Sequence, residues 1–144
     1  MTTIIETSRY TIVAILFDAD APQTVSHFKE LAENGFYNGL AFFKHIPGIL
    51  IQTGCPNNNG TGHSGTFIKD EINDTIRYED GTIAMASCGE NTSSSQFFIC
   101  LDRNEASLFE GNHTAFAKVI PQNLDELRAL RKGDTIISIK FNKD

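Results

Sequence analysis

The sequence predicts a mainly β fold, curled into a barrel rather than laid out as a parallel sheet. Three observations carry this reading. Short β-rich runs recur along the chain, only two stretches have helical spacing, and no strand–helix–strand rhythm is present. The run from Tyr10 to Phe17 is β-branched and apolar on both alternations, which predicts a strand covered on both faces. Asp20-Ala-Pro-Gln then predicts a helix start, with Asp20 as cap, Pro22 in the first turn and Gln23 completing a capping box. Val25, Phe28, Leu31 and Ala32 form its apolar face, and Gly35 ends it.

Phe42 to Lys44 and Leu50 to Thr53 read as strands joined by a turn at Pro47-Gly48. From Cys55 to Gly65 the chain is rich in Asn and Gly and predicts a loop. Gly81 to Ala86, Phe97 to Cys100 and Thr114 to Val119 are further strands. Asn123-Leu-Asp-Glu opens a second helix with its own capping box; Leu124, Leu127 and Leu130 face inward, Arg128, Arg131 and Lys132 suit the C-terminal dipole, and Gly133 stops it. Thr135 to Phe141 alternates as a final strand. No repeat or linker interrupts the 144 residues, so residues 1–144 are read as one domain, long enough to bury about two thirds of its unfolded surface.

Composition narrows the function. The net charge is −6 without any Lys/Arg cluster, which argues against nucleic-acid binding and for simple solubility. Met1 to Glu6 has neither the basic nor the apolar region of a signal peptide, and no apolar run approaches a membrane span. Cys55, Cys88 and Cys100 are odd in number with no Cys-x-x-Cys pair, which favours reduced thiols in a cytoplasmic chain. On that reading the glycosylation-type triplets at Asn59, Asn73, Asn91 and Asn112 are chance. His27 falls on the polar helix face and is read as solvated; His45 and His63 lack ligand spacing, so no metal or cofactor site is read. Gly60 to Gly65 matches G-x-G-x-x-G literally, but neither a leading strand nor a following helix frames it. It is read as a surface loop.

Polar residues in core-like strands carry the functional signal. Lys44 is a lone cation among aromatic and aliphatic neighbours, and Gln52 and Gln96 interrupt runs otherwise fit for a core. Buried polar groups without partners cost roughly 1–3 kcal/mol each. Three of them together indicate a site built on a barrel wall.

Lys44 to Gly54 resembles the active-site strand of the cyclophilins. Gly81-Thr-Ile-Ala-Met-Ala, Asn91-Thr-Ser-Ser-Ser-Gln-Phe-Phe-Ile and Gly111-Asn-His-Thr-Ala-Phe-Ala-Lys-Val are similar to that family's later blocks, in order, from about Tyr10 to about Phe141. The resemblance implies a closed eight-stranded antiparallel barrel with an α-helix over each end. It also implies a cofactor-free peptidyl-prolyl cis-trans isomerase acting on proline-containing peptides and unfolded protein segments. Rotation about an X-Pro bond is slow because the amide nitrogen shares its lone pair with the carbonyl, a barrier of ~18–20 kcal/mol. A cation donating to the prolyl nitrogen would localise that lone pair.

The family uses Arg for this task, and the matching residue here is Lys44. Gln52 would bind the substrate carbonyl, and the backbone of Ser87, beside Ala86, would pair with the extended peptide. Phe98, Leu50, Ile49 and Phe109 would line the proline pocket, and His113, counted as catalytic with Lys44 and Gln52, would close its rim. Gln96 lies in the adjoining groove, which the Gly60–Gly65 loop would border.

Departures from the family pattern set further expectations. Lys lacks the planar donor fork of Arg, which predicts reduced rather than absent catalysis. Ile49 and Leu50 replace the usual Phe and Met, shrinking the pocket floor, and Phe109 replaces a common Leu and refills some of that volume. Cys55 stands where Asp is usual, and Ser93-Ser94 where Asn-Gly is usual. Leu108 occupies the place of a Trp that donates to cyclosporin, so weak cyclosporin binding is expected, although the longer Leu101–Leu108 segment leaves that register open. The competing readings are a proline-peptide binding module without catalysis and an interaction scaffold. Intact Gln52, Gln96, Phe98 and His113 favour the enzyme, with a monomer as default because no unmatched apolar surface stands out.

Overall fold

The computed structural model describes residues 1–143. Eight strands form one antiparallel sheet: β1 (Thr2–Thr7), β2 (Thr11–Leu16), β3 (Lys44–Ile46), β4 (Leu50–Thr53), β5 (Thr82–Met85), β6 (Phe97–Cys100), β7 (Ala115–Val119) and β8 (Ile136–Asn142). Their spatial order is β3-β4-β6-β5-β7-β2-β1-β8. Helix α1 (Pro22–Glu33) follows β2, one-turn α2 (Arg103–Ala106) follows β6, and α3 (Leu124–Ala129) follows β7.

The sheet curls into a half-barrel and is not the closed barrel expected. Strands β3 and β8 do not pair with each other, because the chain meets the start of β8 earlier, along residues 39–42, before β3 begins. The seam is spanned instead by the segment leading into β3, which bonds to the first residue of β8 and to the residues just before it. Gly39 N–H donates to Ile136 O at 2.7 Å, Ile136 N–H to Leu40 O at 2.9 Å, Phe42 N–H to Asp134 O at 2.8 Å, and Gly133 N–H to Phe42 O at 2.9 Å. The expected two α-helices are joined by a third, α2, whose start Asp102 caps by accepting from Asn104 N–H at 2.8 Å.

The concave face holds the main core. Phe28 of α1 packs against Phe97 (ring centroids 5.5 Å apart), Phe116 (5.0 Å) and Phe141 (5.8 Å). Tyr37 is fully buried beside them and donates its hydroxyl to Ser95 O at 2.9 Å; burial pushes its phenol well above the usual range, which keeps it a donor. Strand β2 is not covered on both faces: Ile12, Ala14 and Leu16 are buried, whereas Ile15 is 50% exposed. A curled sheet has one inside, and the outward alternation of β2 meets solvent.

Strand β1 was not anticipated. Its β-branched run would have signalled it, and it pairs with both β2 and β8.

Neither predicted capping box forms. Ala21, not Asp20, precedes α1, with Pro22 in the first turn as expected. The helix start is satisfied from elsewhere: the Glu71 carboxylate accepts from Gln23 N–H at 3.2 Å, Thr24 N–H at 2.6 Å and the Thr24 hydroxyl at 2.7 Å. Asp20 instead accepts from Asn73 Nδ2 at 2.8 Å. Asn123 likewise turns away from α3, accepting from Val13 N–H at 2.9 Å, and α3 ends at Ala129, ahead of Gly133. Gly35, at φ +78°, closes α1 as read from sequence.

Glu71→Ala leaves two amides and a fully buried Thr24 hydroxyl without their acceptor. Its expected cost is about 1–2 kcal/mol, the range of a lost N-cap, read as a lower urea midpoint at unchanged slope.

Candidate active site

Neighbouring aromatics Phe97 and Phe98 point to opposite faces of β6, Phe97 into the core and Phe98 into a second cluster on the convex face. Register then assembles a transverse row on that face. Lys44 of β3 stands opposite Gln52 of β4, Gln52 opposite Phe98 of β6, Phe98 opposite Ala84 of β5, and Ala84 opposite Ala115 of β7. The alanines leave a hollow where larger side chains would fill the wall. Leu50, two residues from Gln52, joins the same face opposite Cys100, and Ile49, Ala86 and Phe109 pack onto the cluster from its margin.

An aromatic group closes one side of the row. Phe98 lies 5.1 Å from Phe109 and 5.3 Å from His113 between ring centroids, the latter nearly perpendicular at 87°. His113 Nδ1 is 3.1 Å from Met85 O, which can only accept. That nitrogen therefore carries a proton and donates, which leaves Nε2 facing away from the Met85 carbonyl. Tyr78 braces His113 from behind, its hydroxyl donating to His113 O at 2.6 Å; burial pushes this phenol up and keeps the donor intact. Nothing in the irregular sequence around Tyr78 signalled this role.

The two glutamines form one unit. Gln96 Nε2 donates to Gly60 O at 3.1 Å and Gly62 O at 2.8 Å, which fixes which end of its amide faces the loop. Its Oε1 then accepts from Gln52 Nε2 at 3.0 Å, leaving Gln52 one N–H and its Oε1 for a ligand. Close packing beneath depends on Gly54: a Cβ there would sit 2.4 Å from Ser95 O, and its φ of +92° suits glycine alone. The Gly60–Gly65 loop is a loop, with no helix after it, and no dinucleotide fold frames it.

Beside the row lies a groove of about 450 Å³ walled by Phe43, Lys44, Gln52, Phe67, Ser87 and Gln96. Sequence reasoning missed its aromatic wall. Phe43 alternates with fully buried Phe42 as Phe98 does with Phe97, and that pairing was a usable signal. Phe67 stacks on His63 at 4.9 Å and is 54% exposed. Lys44 is exposed, with no ion-pair partner among the described residues.

Two expected details differ. Leu108 does not fold into the pocket; it is 70% exposed on the one-turn 3-10 segment Ser107–Phe109. His27 is not merely solvated, since its Nε2 lies 2.9 Å from Ser94 O and ties α1 to the segment before β6. The cysteine thiols are free, Cys55 and Cys100 buried and Cys88 exposed. No helix of the described residues is long and apolar enough to cross a membrane.

Comparison with known proteins places this geometry. Residues 2–143 match the family described as cyclophilin type peptidyl-prolyl cis-trans isomerase/CLD. The chain is 44% identical over 142 residues to a peptidyl-prolyl cis-trans isomerase of Synechococcus elongatus, covering 98% of this chain and 96% of that one. It is 41% identical over 140 residues to one from Helicobacter pylori, covering 96% and 85%. A crystal structure of a Cryptosporidium parvum cyclophilin type peptidyl-prolyl cis-trans isomerase, determined in the presence of the dipeptide Ala-Pro, superposes with a TM-score of 0.90 at 28% identity, covering 100% of both chains.

Proposed function

This chain belongs to the cyclophilin-type peptidyl-prolyl cis-trans isomerase family, and we propose that it accelerates X-Pro rotation in peptides and unfolded segments with Lys44 as the active cation. The observation that carries this reading is the row Lys44–Gln52–Phe98 across three adjacent strands. It sets a cation, an amide and an aromatic floor side by side. Proline would sit on Phe98 under His113 and Phe109, and the free N–H of Gln52 would hold the substrate carbonyl. The Ser87 backbone would pair with the extended peptide. The ammonium of Lys44 would then favour the twisted amide, in which the nitrogen is pyramidal and accepts a hydrogen bond, over either planar form. No nucleophile is required.

In this reading the chain is one domain and works as a cytoplasmic monomer, with activity reduced relative to an arginine-bearing site. The exposed position of Leu108 fits weak cyclosporin binding, because a leucine there offers no donor. The test is exchange NMR on an Ala-Pro peptide with and without the protein. Faster exchange supports the isomerase. Shifted resonances at an unchanged rate would establish the binding module instead, and neither effect would leave only a scaffold. A parallel cyclosporin titration is expected to reach saturation only at high ligand concentration.

A further inference from the structure

The aromatic side of the row is built on the short stretch from Phe109 to His113, and little within that stretch holds it in place. Its own backbone bonds, Glu110 N–H to Ser107 O and Asn112 N–H to Phe109 O, are both long at 3.3 Å. Gly111 turns there at φ +80°, and a Cβ on it would meet nothing within 4 Å, so no neighbour wedges the turn.

Two short bonds from one buried residue secure both ends. Tyr78 N–H donates to Glu110 Oε1 at 2.7 Å, next to Phe109, and the Tyr78 hydroxyl donates to His113 O at 2.6 Å. Tyr78 itself is 5% exposed and packs in the cluster that holds Phe98, Leu50 and Ala106, which gives it a fixed base. Arg77 adds little, because its guanidinium is exposed and lies 4.0 Å from the other Glu110 oxygen. Between the two secured ends the Phe109 and His113 ring centroids stand 6.0 Å apart, and Phe98 contacts both rings. The spacing of those rings therefore depends on Tyr78.

We propose that Tyr78 is a positioning residue, which through Glu110 and His113 holds the Phe109 and His113 rings at the spacing a proline ring needs and so sets peptide affinity. The inference rests on the reading of this site as a proline pocket. Lys44 and Gln52 stand on β3 and β4, and neither bonds to the stretch that Tyr78 secures. Loosening that stretch weakens the hold on proline and leaves the cation and amide where they are. Tyr78 thus acts on binding more than on rotation of the bound peptide.

The experiment compares wild type with Tyr78→Phe, which keeps the ring and removes only the donor to His113 O. Exchange NMR across an Ala-Pro peptide titration separates KM from kcat. KM is expected to rise roughly three- to tenfold, the worth of one net hydrogen bond, with the saturated rate kept within about twofold. The His113 ring resonances of the free protein, shifted by the neighbouring Phe98 and Phe109 rings, are expected to move toward those of an unstacked histidine. Glu110→Ala, which removes the acceptor for Tyr78 N–H, should raise KM in the same way, and Glu110→Gln, which keeps an oxygen there, should bring it back. A wild-type KM in both Tyr78→Phe and Glu110→Ala, even with a lowered urea midpoint, would show bonds that serve the fold alone and would overturn the inference. Failure of the wild type to bind or accelerate the peptide would instead remove the proline pocket, and the role of Tyr78 with it.

Discussion

Lys44→Ala is expected to lower the acceleration of Ala-Pro exchange by roughly 10²-fold, at the low end for loss of a donor aimed at developing charge. The low end applies because Lys44 is exposed and water screens its ammonium. Peptide binding should survive within a few fold, since Phe98, Gln52 and His113 remain in place. Lys44→Arg should raise the rate several-fold above wild type. The guanidinium is planar and can brace against Gln52, its cross-strand partner, while still presenting a donor. Measured by exchange NMR at saturating peptide, an unchanged rate in Lys44→Ala would remove the cation from the mechanism and leave the row as a binding surface.

Phe98→Ala should damage stability and function together. The side chain is 3% exposed and packs against Phe109 and His113, so truncation leaves a cavity costing about 3–5 kcal/mol. For a chain of this size that is a large share of the roughly 5–15 kcal/mol available. Proline binding should vanish from the folded fraction. Phe98→Leu separates the two effects: it nearly fills the space, should cost well under the alanine change in a urea titration, and should still weaken peptide binding because the flat ring is gone. A folded Phe98→Leu protein that binds and accelerates like wild type would mean that proline sits elsewhere.

Much of the candidate site was legible because β-strands alternate. A polar residue in an apolar run must have a partner or a purpose, and this singled out Lys44, Gln52 and Gln96. What could not be read was which of them touch. The Gln52–Gln96 bond joins residues 44 apart, and the loop carbonyls that orient Gln96 are 36 and 34 residues away. Phe67 and Tyr78 went unnoticed because they lie in irregular segments, where no periodicity marks an inward or outward face.

The sequence by itself determined the family, the β class, most strands, the position of α1 and the identity of the row's residues. These depend on local alternation, helical spacing and turn residues, which are properties of neighbours along the chain. Only the tertiary structure decided that the sheet stays open between β3 and β8, that Glu71 caps α1 in place of Asp20, and that Leu108 faces water. Each of these is a pairing between distant segments. Local preferences there are worth about a kcal/mol or less, and strand register and burial override them.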